Sequence, residues 1–264
     1  MRAPTVEVPA PERGGEFVQS LARGLDVITA FDATHRELTL TEVAARTGLT
    51  RATARRFLHT LVALGYVHVD GPRFRLTPRV LRLGYAFVSG LPLSEIAQPH
   101  LKDLSARLLE STSVSVLDGT DILYVVRVHT HRIMAMPIPV GTRFPAHATS
   151  MGRVLLAHLP DDELDAHLGH ALLERLTPYT ITDLGALRAE LARVREQGYA
   201  VADQQLALGL RSVAVPVRQG ERVVAAANVS MALHDGRSPH PVDHVLTGLR
   251  ESVARIEEEL SLSP

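Results

Sequence analysis

The stretch TLTEVAARTGLTRATARRFLHTLVALG, residues 39–65, admits few folds besides two short helices joined by a tight turn. Thr39-Leu40-Thr41-Glu42 has the S/T-x-x-E form of a capping box, in which threonine and glutamate satisfy the first backbone donors of a helix. Val43 and Ala44 face inward on that helix. Gly48 ends it, because glycine readily takes the left-handed conformation of a C-cap. Thr50 can cap the helix that follows. Over residues 51–64, at about 100° per residue, Ala54, Phe57, Leu58, Leu61 and Leu64 fall on one apolar arc. Arg51, Ala52, Arg55, Arg56 and His59 take the opposite arc, with Thr53 at its edge. A short helix, a glycine turn and a second helix with a basic outer face make a helix-turn-helix.

The flanks extend the pattern. Ser20 is an expected N-cap, followed by Leu21, Leu25, Ile28 and Phe31 at helical spacing. After Gly65, YVHVDGPRFRL places Val67 and Val69, then Phe74 and Leu76, on either side of an Asp70-Gly71 turn, which signals a hairpin with Arg73 at its tip. The result is a winged helix-turn-helix, whose second helix suits the DNA major groove. Charge agrees. The formal net charge of the chain is −1, yet residues 46–82 hold eight arginines and one acid, Asp70. That segment carries +7 and the remainder −8. Such a block points to an anionic partner, and arginine both pairs with phosphates and forks onto guanine edges. Thr50, Arg51, Ala52, Thr53, Arg55, Arg56 and Arg73 are the candidate DNA-binding residues. For Arg51, at the edge of the arc, a plain surface role is the alternative.

A chain of 264 residues, 45% apolar, has room for two modest domains and a real core. It has no cysteine, which excludes disulfides, thiolate metal sites and a cysteine nucleophile. Residues 1–17 hold Pro4, Pro9, Pro11, Gly14 and Gly15 without a hydrophobic period, and a disordered tail is expected there. No signal-peptide core and no apolar run of about 18 residues is present, so a soluble cytoplasmic protein is expected. Val80, Leu83 and Phe87 place a helix near residues 79–89. Leu93, Ile96, Ala97, Leu101, Leu104 and Leu108 give another over 93–110. SVSVL, ILYVVRV, RIMAMPI, SVAVPV and RVVAAANVSM read as strands, with Asp118-Gly119 turning between the first two. MGRVLLAHL and LGALRAELARVREQG read as helices. A last helix carries Val242, Val245, Leu246, Leu249, Val253, Ile256 and Leu260. Strands with helices packed outside them predict an α+β domain.

FVQSLARGLDVITAF and LTLTEVAARTGLTRATARRFLHTLVALGYV resemble the DNA-binding domain of the IclR family of bacterial transcription regulators. The likeness continues through LTPRVLRLGYAFVS, SVSVLDGTDILYVVRV, VGTRFPAHATSMGRVLLA and DQQLALGLRSVAVPV. TSMGRVLLA and GLRS are similar to the branch governing the β-ketoadipate pathway, which breaks down protocatechuate and 4-hydroxybenzoate. The resemblance implies a winged helix-turn-helix domain at 18–78, a linker helix at 79–92 used for dimer contacts, and a GAF-like effector-binding domain at 93–264. It further implies a homodimer or tetramer on double-stranded operator DNA, answering a small aromatic acid or dicarboxylate, with no cofactor. The loop carrying His147, Thr149, Ser150 and Met151 would border the effector cavity, together with Asp203, Leu210, Arg211, Ser212, Asn228 and Ser230. Exposed N–H groups where that loop enters a helix attract a carboxylate; simple N-capping by Thr149 or Ser150 is the alternative. Arg211 is a natural partner for an aromatic carboxylate, and an ion pair with Asp203 competes with that role. Some relatives carry an acid in place of Gln205 and a cysteine in place of Ser212.

Other function classes fit less well. Ala148-Thr149-Ser150-Met151-Gly152 resembles a nucleophile elbow for a serine hydrolase using Ser150, but Arg143, Pro145 and His147 precede it where a buried strand belongs. His129-x-His131 and the pair His240 and His244 lack a third ligand, so surface histidines are the expectation. Neither phosphate-binding glycine motif occurs. An effector-independent DNA-binding protein would leave a separate acidic domain, two-thirds of the chain, without a purpose.

Overall fold

The computed structural model describes residues 17–32, 34–83, 92–130, 138–233 and 236–262. It divides into two compact units, residues 1–87 and 88–264. Nearly all of the expected tail lies outside the described residues, as do Phe87 and most of the expected linker helix, His131, and all of RIMAMPI but its last residue.

In the first unit α1 (Gln19–Thr29) is followed by β1 (Glu37–Thr39), α2 (Leu40–Thr47), α3 (Arg51–Ala63), β2 (Val67–Asp70) and β3 (Arg73–Leu76). The capping box forms as the sequence dictates. The Thr39 hydroxyl accepts from the Glu42 N–H, and the Glu42 carboxylate accepts from the Thr39 N–H at 2.7 Å. Gly48 closes α2 with φ of 65°, and the Thr50 hydroxyl accepts from the Thr53 N–H to open α3. Val27, Leu38, Val43, Ala54, Leu58, Leu61, Val67 and Phe74 make the core. Three antiparallel strands in the order β1-β3-β2 form the wing, with β1 an addition the periodicity did not announce. Two expectations give way. The helix opens one residue before Ser20, from Val18 and without a side-chain cap. Leu64 falls outside the apolar arc because α3 stops at Ala63, and its side chain is exposed.

The second unit is an α+β domain built on a six-stranded antiparallel sheet in the order β6-β5-β4-β9-β8-β7. Its strands are β4 (Ser111–Asp118), β5 (Asp121–Val128), β6 (Arg143–Pro145), β7 (Ala200–Asp203), β8 (Leu210–Gln219) and β9 (Arg222–Ala232). Its helices are α4 (Pro92–Leu108), α5 (Ser150–Ala157), α6 (Asp161–His170), α7 (Leu184–Gln197) and α8 (Val242–Leu262). β6, β7 and α6 are elements that periodicity missed, the strands because each is so short.

Alternation along each strand sends successive side chains to opposite faces. Val114, Val213, Val215, Val229 and Met231 pack with Leu101 and Leu104 of α4 and Leu249 and Val253 of α8. The other face sets Ile122, Tyr124, Ala214 and Ala226 against Met151 and Leu156 of α5 and Leu187 and Leu191 of α7. Burial of this second face is carried by the helices over its centre. Toward one end its strands carry hydroxyl and amide side chains instead, and that end is the site described next.

Candidate functional site

The first surface is α3. Arg51, Ala52, Arg55 and Arg56 are exposed, and Thr53 is half-buried beside them. Ala54, Leu58 and Leu61, on the opposite arc, are buried. Among the described residues no carboxylate lies within ion-pair distance of Arg51, Arg55 or Arg56. Arg55 is braced along the helix, its Nε–H donating to His59 Nε2 at 3.4 Å. Thr50 is committed to the cap, with its hydroxyl 2.9 Å from that of Thr53. Arg73 is exposed at the start of β3, opposite Asp70 and Thr39. The turn itself is Gly71 and Pro72. An amphipathic helix with unpaired guanidinium groups outward, a capped turn before it and a hairpin beside it can seat in a groove lined by phosphates.

The second surface is the polar end of the sheet. Thr149 caps α5, its hydroxyl accepting from the Gly152 N–H at 3.0 Å, which is the capping alternative raised by the sequence. Ser150, fully buried, donates its hydroxyl to Ser212 on β8 at 2.9 Å. Ser212 stands opposite Ser230 on β9. The Ser230 hydroxyl accepts from the Asn228 amide at 3.2 Å. Asn228 stands opposite Ser113 on β4, and Ser113 opposite Arg127 on β5. The Arg127 guanidinium donates to the Ser113 hydroxyl at 2.8 Å. Met151, fully buried, accepts from Ser115 through sulfur. Thus His147, Thr149, Ser150, Met151, Ser212, Asn228 and Ser230 gather around the start of α5 and the sheet face beneath it. Leu210, at the start of β8, shares the Ser212 face by alternation.

Asp203 and Arg211 are not brought into that group. They oppose each other in register, and alternation turns both toward the α4–α8 face. They form an ion pair at 2.6 Å, the competing role foreseen for Arg211.

Arginines that sequence reasoning passed over hold the site together. Arg153 is 1% exposed. It donates to the His147 carbonyl at 2.9 Å and to the Gln205 side-chain carbonyl, with Glu190 at 3.7 Å. Burial lowers its pKa to about 10, with Glu190 opposing the shift. His147 donates its Nε2–H to the Glu174 carbonyl at 3.1 Å, and burial drives its pKa down, favouring neutral imidazole. The legible signal for both Arg127 and Arg153 was a charged residue bracketed by apolar ones inside ILYVVRV and MGRVLLA.

The serine does not sit as a hydrolase nucleophile would. A single 3-10 turn, Ala146–Ala148, precedes it, and its hydroxyl meets serine rather than histidine. His240 donates its Nε2–H to the Leu108 carbonyl at 2.8 Å, with its ring 5.7 Å from that of His244. Among the described residues no group of three metal-ligating side chains occurs, and no helix is long and apolar enough to cross a membrane.

Comparison with known proteins bears on both surfaces. Residues 20–71 match the IclR helix-turn-helix domain, and residues 85–257 match the bacterial transcriptional regulator IclR C-terminal domain. The Pca regulon regulatory protein of Pseudomonas putida is 44% identical over 237 residues, covering 89% of this chain and 81% of its own. The p-hydroxybenzoate hydroxylase transcriptional activator of Acinetobacter baylyi is 36% identical over 246 residues, 91% of each chain. Among solved structures, an IclR homolog from Microbacterium hydrocarbonoxydans complexed with 4-hydroxybenzoate superposes with a TM-score of 0.82. It is 29% identical and covers 92% of this chain and 100% of its own.

Proposed function

The chain belongs to the IclR family of bacterial transcriptional regulators, and on that premise we propose that it controls genes of aromatic acid breakdown in response to a hydroxybenzoate-type effector. The observation that carries the reading is the pairing of an exposed basic helix in one unit with a buried polar sheet end in the other. Relatives named for the Pca regulon and for p-hydroxybenzoate hydroxylase, and a structural neighbour holding 4-hydroxybenzoate, support the effector class.

In this reading residues 18–78 grip the operator, residues 79–92 link, and residues 93–264 sense. Thr50, Arg51, Ala52, Thr53, Arg55, Arg56 and Arg73 make the DNA contacts, with the protein working in the cytoplasm. A homodimer places α3 of each protomer in successive major grooves of a two-fold operator. The effector lies over the polar row, against His147, Thr149, Ser150, Met151, Leu210, Ser212, Asn228 and Ser230. It shifts operator affinity only by as much as it prefers one conformational state over the other. A gel shift on the chain's own upstream DNA, with and without 4-hydroxybenzoate and protocatechuate, tests this. The expected result is a change in operator affinity with one of the acids; no change with either, beside no thermal shift, contradicts the effector class.

A further inference from the structure

We propose that Arg127 seats the effector's carboxylate through its unshared Nε–H, with Ser113 holding the guanidinium in place. This rests on the reading of the second unit as an aromatic-acid sensor and assigns the charge-recognising residue within it.

Four observations converge on Arg127. Register and alternation put it on the same sheet face as Ser113, Asn228 and Ser212, at the β5 end of the polar row. One arm of its guanidinium is spent on Ser113, while its Nε is buried and has no hydrogen-bond partner. Its charge is also unanswered: among the described residues no carboxylate pairs with it, whereas Arg153 has Glu190 and Arg211 has Asp203. Finally, it lies over the Tyr124 ring at 5.9 Å, and that ring is buried edge-on against Phe144. Ring and serine together fix the plane of the guanidinium.

A buried donor without an acceptor is costly, and a cationic one more so, unless a ligand supplies the acceptor. Asn228 Oδ1, two strands away on the same face, is also buried and unpartnered. A buried donor and a buried acceptor, each without a hydrogen-bond partner, thus share one polar row. The cationic donor selects an anion, and a planar guanidinium edge matches a carboxylate. Tyr124 adds a flat apolar neighbour suited to an aromatic ring. The ion pair of Arg211 with Asp203 removes the competing arginine to the other face.

The test is calorimetric titration of the full chain with 4-hydroxybenzoate, protocatechuate and the uncharged 4-hydroxybenzamide. Wild type should bind an acid about ten- to a hundredfold more tightly than the amide, the range of one charge-assisted hydrogen bond. Arg127→Gln should erase that preference, and Arg127→Lys, which keeps the charge but lacks Nε–H, should restore part of it. A merely structural arginine would weaken acid and amide alike. An acid preference that survives in Arg127→Gln overturns the proposal and leaves the sensor reading standing. Failure of wild type to bind any of the three removes the sensor reading, and this assignment with it. Should the Gln variant not fold, the Arg127 Nε–Hε resonance of wild type, assigned by its loss in Arg127→Lys, decides: it should shift with acid and not with amide. A resonance unmoved by a bound acid overturns the proposal.

Discussion

Ser150 donates its hydroxyl to Ser212 across 2.9 Å, tying the first residue of α5 to β8. Ser150 is fully buried and, among the described residues, its hydroxyl is satisfied by Ser212, which is 8% exposed. Ser212→Ala strands a buried hydroxyl and should cost about 1–3 kcal/mol. Ser150→Ala should cost less, because Ser212 can still reach water. The double variant should be less destabilised than the sum of the two, a coupling that calorimetry of the second unit's transition would reveal. Additive losses would mean that the two hydroxyls do not act as a pair.

Arg56 sits on the exposed side of α3 with no carboxylate among the described residues within ion-pair distance, so its removal should leave the fold alone. Arg56→Ala is expected to lower operator affinity at least about tenfold with an unchanged melting temperature. If its partner is a phosphate, the slope of log affinity against log salt should flatten by about one. Gel shifts at several salt concentrations separate the cases. Retained affinity would exclude Arg56 from the interface.

Much of the first unit was legible because its signals are local. The Thr39–Glu42 box, Gly48 and the Thr50 cap each act over three or four residues, and all three form as the spacing requires. Ser20 misled because propensity for an N-cap does not compel one; the chain turns into helix at Val18 instead. The sheet was harder. Whether Arg211 faces the same side as Ser212 is decided by strand alternation, but only after strand boundaries are known, and β7, its partner strand, is four residues long. Arg127 and Ser113 meet across two strands fourteen residues apart, through a bulge at Val114 and Ser115 that no local pattern discloses.

Gly152 and Gly48 illustrate two different needs for glycine. A Cβ at position 152 would overlap the backbone of Ala146, so the loop of His147 and Thr149 can lie against α5 only without a side chain there. Backbone cannot yield as a flexible side chain does. Gly152→Ala should therefore cost at least about 1–3 kcal/mol and weaken effector binding by displacing the loop. Gly48 has open space around it but a φ of 65°. Gly48→Ala should cost about 1–2 kcal/mol from left-handed strain alone, and Gly48→Asn less. Melting temperatures of the two units, with effector titration, distinguish the effects; a harmless Gly152→Ala would show that the loop is not anchored as described.

Acid should loosen the second unit before it strips the first of the Asp32 carboxylate. His147, His158 and His167 all have pKa values held below 6.5, in each case chiefly by burial. Below 6.5 the unfolded chain therefore takes up protons that the folded chain refuses. By linkage, stability is full above that value and falls as pH drops through it toward the depressed folded values. Asp32 in the first unit has the opposite sign. Burial pushes its pKa up, but hydrogen bonds from Thr34 and His35 outweigh that and hold it well below 3.8. Its contribution is present above 3.8 and is lost only as pH falls below that value. The second unit's melting temperature should thus decline between about pH 7 and pH 5. His147→Gln, which can still donate to the Glu174 carbonyl but does not titrate, should make that decline shallower. A second unit whose melting temperature is level across this range would mean that these imidazoles are protonated without penalty, and the buried neutral state assigned to His147 would have to be given up.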